Sequence, residues 1–235
     1  MEALERIVFL DTETTGLDAR LGHRIIEIAA VEASGRELTG KSLHFYLDPE
    51  REIDPGATAV HGFTWDDLRG KPKFSAVADE VMGFLANARV VIHNAPFDVA
   101  FLDQELIRLR QTPIAKRQFT VTDSLVMAKE KYPGKRNSLD SLCDRLGVDN
   151  SHRNLHGALL DARLLAEVYF AMTRGQGVLE MSHEGPQPAS PNMELSCSLP
   201  VPPIAPVSVN STSLASHTAY VTALKEQSGV ERTWN

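Results

Sequence analysis

This chain is poor in cysteine, has no excess of positive charge and contains no long apolar run, and each absence narrows what it can be. Only Cys143 and Cys197 occur in 235 residues, far apart and outside any metal-ligand spacing. They exclude a disulfide-framed fold and a cysteine zinc site, and the expected setting is a reducing cytoplasm. Lysine and arginine total 24 against 31 acidic residues, a net charge of −7. No global basic field therefore marks the surface for a polyanion. An enzyme acting on polyanions is still compatible with this balance, because bound cations can supply positive charge locally. No segment is long and apolar enough to span a bilayer. The amino-terminal apolar run is too short for a signal peptide and is interrupted by Asp11. What is present is an ordinary globular composition, 43% hydrophobic and 23% charged, suited to one large domain with or without an appendage.

Residues 5–175 alternate apolar segments with turn signals. Runs at 7–10, 25–31, 42–47, 90–93 and 119–122 have the pattern of strands, and Ser34-Gly35 suits a hairpin turn. Helical periodicity covers 75–86, 97–110, 124–131, 138–146 and 157–173. Pro96 suits a first helical turn and Ser138 an N-cap. Strands first, then alternating β and α segments, predict an α/β domain with a mixed sheet and helices against it.

Composition changes after Met181. Residues 182–235 hold seven of the thirteen prolines, many serines and few large apolar side chains. Such a stretch cannot bury enough surface to offset its ordering entropy, so 182–213 is expected to be a flexible linker and the tail disordered. Tyr220, Val221, Leu224, Val230 and Trp234 then return apolar groups to segment 214–235. That segment suits either a partner-docking element that folds on binding or a frayed tail.

Three acidic loci stand out in the folded part. Asp11-Thr12-Glu13 follows the apolar run Ile7-Val8-Phe9-Leu10, and strand alternation puts both carboxylates on one face. Two like charges at the end of a buried strand repel and lose hydration. Either the strand end is solvated or a hard divalent cation such as Mg²⁺ or Mn²⁺ sits between them. Asp98, at the start of a helix, shares a face with Phe101, Leu102 and Glu105; the helix dipole alone could account for it. Asp161 falls on the apolar stripe of Leu164, Leu165 and Val168. His156, five residues earlier, is expected on the loop feeding that helix, able to reach over a site from another direction. Each locus has an innocent explanation, but three inward-facing acidic loci and a histidine in one chain are much harder to dismiss.

Taken together, Asp11-x-Glu13, Asn94-x-x-Phe97-Asp98 and His156-x-x-x-x-Asp161 resemble the three motifs of the DEDDh family of 3′→5′ exonucleases, in order and in spacing. The resemblance covers residues 5–175 and implies a ribonuclease-H-like fold, with a mixed five-stranded sheet flanked by helices. It also implies a domain over 1–181, two divalent metal ions (Mg²⁺ or Mn²⁺) and release of nucleoside monophosphates from a 3′ end. Asp11, Glu13, Asp98 and Asp161 would hold the metals, with Asp11 bridging, and His156 would act as general base. Asp11, Glu13, Thr14, Leu17, Val60, His61, Asn94, Phe97 and Asp161 would meet the terminal nucleotide. Ala59-Val60-His61-Gly62-Phe63-Thr64 resembles a substrate-contacting loop, and Thr64-Trp65-Asp66-Asp67 suits a helix start. Phe97 could pack on a base or fill the core beside Phe101.

Within that family the chain resembles the proofreading subunits of bacterial replicative DNA polymerases. This implies DNA 3′ ends, single-stranded or frayed, as substrate. It also implies docking of the polymerase alpha subunit by 214–235, through Tyr220, Leu224 and Trp234. Gln176, Leu179 and Met181 would anchor a sliding-clamp peptide, with Met181 in place of an expected aromatic. Two other readings use the same motifs: a free-standing exoribonuclease, and an adaptor that binds a polymerase without cutting. Asp103 and Asp123 suit surface or capping duties, and Asp140 with Asp144 a solvated helical pair. Lys135, Arg136 and Arg153 suit solvated loop positions. His23, His44, His93, His152, His183 and His217 show no carboxylate constellation of their own.

Overall fold

The computed structural model describes residues 5–117, 119–152 and 155–174, together with Thr222. The expected linker, the rest of the docking segment, Arg153 and the clamp anchors Gln176, Leu179 and Met181 lie outside the described residues. Five strands, β1 (Arg6–Thr14), β2 (Ile25–Ser34), β3 (Glu37–Tyr46), β4 (Arg89–Ile92) and β5 (Thr120–Asp123), form one sheet in the order β3-β2-β1-β4-β5. β1, β2 and β3 are antiparallel neighbours, whereas β4 and β5 run parallel to β1. The mixed sheet expected from strand-rich and then alternating segments is the one found. Ser34 pairs with Glu37, so the hairpin turns on Gly35-Arg36.

The run Ile7-Val8-Phe9-Leu10 makes β1 central because it is apolar on both faces. Val8 and Leu10 join a core with Phe74, Val81 and Leu85 of α3 (Phe74–Leu85) and with Phe101 and Leu102 of α4 (Ala95–Arg108). Ile7 and Phe9 face the other way, onto Leu142 of α6 (Leu139–Leu146) and Leu165, Val168 and Tyr169 of α7 (Ala158–Thr173). On this second side α5 (Ser124–Lys131) adds Ala128 and is capped by the Asp123 carboxylate, which accepts from the Leu125 N–H at 2.8 Å. Asp103 likewise accepts from the Ile114 N–H at 2.6 Å. Both acids have the capping duty their positions suggest. No helix among the described residues is long and apolar enough to cross a membrane.

Two local expectations change. β1 continues through Asp11, Thr12, Glu13 and Thr14, so the acidic pair lies within the strand rather than after it. The expected loop at 59–64 is in part helical: α1 (Pro55–His61) precedes it, and α2 (Trp65–Leu68) follows with a capping box between Thr64 and Asp67. A seven-residue helix containing Gly56 has little periodicity to reveal it. Pro55 at its start and Gly62 at its end were the available signals.

An ion pair between half-buried Arg24 and buried Glu105 ties the entrance of β2 to α4. Arg24 donates from Nε and Nη2 to the two Glu105 oxygens at 2.6 and 2.8 Å. The pairing holds the Arg24 guanidinium pKa above its usual value, and burial only partly offsets this.

Candidate active site

Alternation along β1 sends Asp11 and Glu13 to the face shared with Phe9, and Thr12 to the opposite face. α7 presents Asp161 in its first turn on the Asp11/Glu13 side. α4 presents Asp98 in its first turn on the other side, where its Oδ1 accepts a hydrogen bond from the Thr12 hydroxyl at 2.7 Å. The acids therefore converge at the strand end from two layers. A pocket of about 280 Å³ there is lined by Asp11, Glu13, Asp98, His156 and Asp161, the five residues expected to share a site.

Within that pocket the ligand atoms of Glu13, His156 and Asp161 all lie within 4.8 Å of one another, a spacing able to hold a metal ion. Asp11 and Asp98 line the pocket outside this tighter group, and Asp98 is turned toward Thr12. His156 Nδ1 is 3.4 Å from Asp161 Oδ2, and the His156 backbone N–H donates to the Val60 carbonyl at 3.2 Å. The histidine is on a loop ahead of α7, as its spacing from Asp161 suggested. Asp140, expected on a solvated pair, also lines the pocket because α6 begins beside it.

Asp98 is 3% exposed, and its pKa is pushed up from 3.8 to about 7, first by burial and further by the negative charge of Asp123. The Thr12 hydroxyl and backbone N–H groups oppose the shift. A carboxyl raised in this way holds its proton in the fold at pH values where the unfolded chain has lost it. Its contribution to stability is complete below the unfolded pKa and is lost as pH rises through about 7. Denaturant unfolding in the presence of chelator should show stability declining between about pH 4 and pH 7 and levelling above that. Asp98→Asn should remove that slope, and a flat profile for the unaltered protein would contradict the assignment.

A second, more apolar cleft of about 520 Å³ adjoins the first, and Thr12, Glu13 and Phe97 line both. Thr14, Leu17, Val60 and His61 complete the set of expected nucleotide contacts in this cleft. Phe97 also packs 4.9 Å from Phe101, so it serves cleft and core together. Asn94 is the exception and lines neither pocket. It is the N-cap of α4 in a left-handed conformation, with its N–H donated to Asp123 Oδ1 at 3.1 Å. His61 is buried, and burial lowers its pKa, with the neighbouring charge of His156 adding. Its Nδ1 accepts from the Phe63 N–H at 3.1 Å, which leaves the proton of the neutral ring on Nε2. That atom has no partner in hydrogen-bonding geometry, although the Thr14 carbonyl is near enough to offset part of the burial.

Two histidines read as having no acidic partner do have one. His23 lies over Gly16, where a Cβ would come 2.3 Å from its ring. Its Nδ1 contacts Thr15 Oγ1 at 3.0 Å and its Nε2 lies 3.5 Å from Asp54 Oδ2. It thus braces the loop after β1 against the start of α1. His44 Nε2 is 2.7 Å from Glu27 Oε1, across the β2–β3 ladder. Cross-strand register, which carries no local signature, brings that pair together.

Fold and pocket define a metal-assisted nuclease, and comparison with known proteins agrees. Residues 8–169 match the RNase_T exonuclease family, and the chain belongs to it. The DNA polymerase III subunit epsilon of Escherichia coli (strain K12) is 52% identical over 188 residues, 78% of this chain and 77% of that one. The same subunit of Pasteurella multocida (strain Pm70) is 53% identical over 175 residues, 73% and 69% of the two chains. At that identity the chain is an exonuclease of the epsilon type, acting 3′→5′. The fold is also that of the E. coli ExoI–ssDNA complex in its zinc-bound form, with a TM-score of 0.64 at 23% identity. That match covers 73% of this chain and 41% of the other. Exonuclease X in complex with 5′-overhanging duplex DNA matches with a TM-score of 0.56 at 25% identity, over 72% and 90% of the chains.

Proposed function

We propose that this chain proofreads DNA synthesis: it removes mispaired nucleotides from DNA 3′ ends as nucleoside monophosphates, within a replicative polymerase complex. The observation that carries the proposal is the Glu13, His156 and Asp161 cluster beside an apolar cleft of nucleotide size. Its oxygen-rich donor set suits hard divalent cations, Mg²⁺ or Mn²⁺. Asp11, Glu13, Asp98 and Asp161 would hold two such ions. When bound, these ions neutralise charge on the scissile phosphate and make water a better nucleophile.

The chain's own groups do the rest. Thr14, Leu17, Val60, His61 and Phe97 receive the terminal sugar and base in the apolar cleft. The terminal base must leave the duplex to enter it, so frayed and mispaired ends are the better substrates. Asp161 orients the His156 imidazole through Nδ1, and Nε2 accepts the proton of the attacking water. The segment 214–235 docks the polymerase alpha subunit, and Gln176, Leu179 and Met181 contact the sliding clamp. Tethering raises the local concentration of nuclease at the primer end without altering its chemistry.

The test is excision of a labelled primer with Mg²⁺, using the full chain and a chain ending at residue 213. The full chain should shorten a mismatched primer faster than a matched one, and the shortened chain should cut single-stranded DNA equally well while no longer co-purifying with the polymerase. Indifference to the mismatch, or faster cutting of RNA than of DNA, would point to a free-standing exoribonuclease instead.

A further inference from the structure

His156 precedes the first residue of α7, Ala158, so the helix's own hydrogen bonds do not fix where its imidazole lies. Two contacts with another element hold its backbone. Its N–H donates to the Val60 carbonyl at 3.2 Å, in the last turn of α1. The residue before it, Leu155, lies directly over Gly62, where a Cβ would stand 2.7 Å from Leu155 Cδ1. A Cβ at that position would push the Leu155 side chain aside, so this close contact depends on glycine. Gly62 also has φ +83°, a left-handed conformation that ends α1, with its N–H donated to the Thr58 carbonyl. Leu155 is 54% exposed, so its packing contributes little to any core. A large apolar side chain left mostly in water, aimed at a glycine beside the imidazole loop, is a peg rather than a buttress.

We infer that Gly62 and Leu155 are positioning residues that, with the Val60 carbonyl, seat the His156 loop on α1. The inference rests on the reading of His156 as general base. It has a second consequence, because α1 also lines the apolar cleft through Pro55, Gly56, Ala57, Val60 and His61. The start of the helix is pinned by Asp54, whose N–H donates to the Thr15 carbonyl at 2.9 Å and whose carboxylate lies near His23. A nucleotide that fills the cleft therefore rests on the same short helix that carries the seat. Occupancy and placement of the base are linked through α1, and a shift of about 1 Å in such a group can cost roughly 100-fold in rate.

The experiment measures steady-state hydrolysis of single-stranded DNA by the full chain, with Mn²⁺ affinity from calorimetry and melting temperature alongside. Leu155→Ala should lower kcat by about 10- to 100-fold while KM, Mn²⁺ affinity and melting temperature stay at their original values. Leu155→Met, which keeps an apolar peg, should restore most of the rate. Gly62→Ala should lower kcat as well, with a lower melting temperature because of its left-handed backbone, and Leu155→Ala added to it should cost less than Leu155→Ala alone. In a His156→Ala background Leu155→Ala should have no further effect. Unchanged kcat in Leu155→Ala overturns the seat, as does a raised KM at constant kcat, which would make Leu155 a substrate contact. Undiminished turnover in His156→Ala removes the general base itself and the seat with it; loss there combined with normal Leu155→Ala activity removes the seat alone.

Discussion

Glu13→Gln combined with Asp161→Asn should reduce hydrolysis of single-stranded DNA by about four orders of magnitude, equivalent to about 5 kcal/mol of transition-state stabilisation. Both carboxylates belong to the group whose atoms approach within 4.8 Å, and both are buried. Crowded carboxylates repel one another unless a cation lies between them. The neutral replacements keep shape and volume while removing that repulsion, so the double variant should melt no lower than the original protein in chelator. Adding Mn²⁺ should raise the melting temperature of the original protein, by mass action on the folded state, and leave the variant where it was. Scanning calorimetry with and without Mn²⁺, beside a primer-shortening assay, reads both effects. Activity above about one per cent of the original, or undiminished stabilisation by Mn²⁺, would show that these two acids do not hold the metal.

The second large effect concerns stability rather than chemistry. Glu105→Ala should destabilise the domain by about 3–5 kcal/mol, the usual result of leaving one member of a buried ion pair without its partner. For a domain of this size that corresponds to a fall in melting temperature of roughly 10 °C or more. Glu105 is 2% exposed and bonds Arg24 through both oxygens, so its removal leaves the half-buried guanidinium only the Pro49 carbonyl at 3.4 Å and Glu50 at 3.9 Å. Arg24→Met with Glu105→Leu should recover most of the loss, because an apolar pair of similar volume carries no desolvation cost. A single variant within about 1 kcal/mol of the original would mean that the guanidinium finds water or another acid.

The contrast between these two sites explains which parts of the molecule were legible in the sequence. Asp98 and Asp161 stand on apolar stripes of their helices, and Asp11 and Glu13 alternate along a strand, so local periodicity announces that each points inward. Their convergence was legible only through the resemblance to the family's three motifs, because periodicity does not say which elements meet. The Arg24–Glu105 pair has no such signature, because its members are 81 residues apart and each alone suits a solvated surface. His23 over Gly16 and His44 beside Glu27 were missed for the same reason: choice of partner is decided by register and packing. α1 was missed because seven residues offer no repeat to detect. Asn94 takes a backbone role that its motif position did not announce, as the left-handed N-cap of α4.

Thr12 separates the two acids of β1, and that single intervening residue distributes the site across both layers of the domain. Asp161 arrives with the α6/α7 layer and Asp98 with the α3/α4 layer, so neither layer alone assembles the four carboxylates. A nascent chain, a proteolytic fragment or a molecule with one layer melted is thus unarmed. On the proposed reading, cutting becomes an all-or-none property of the completed fold, a safeguard for an exonuclease.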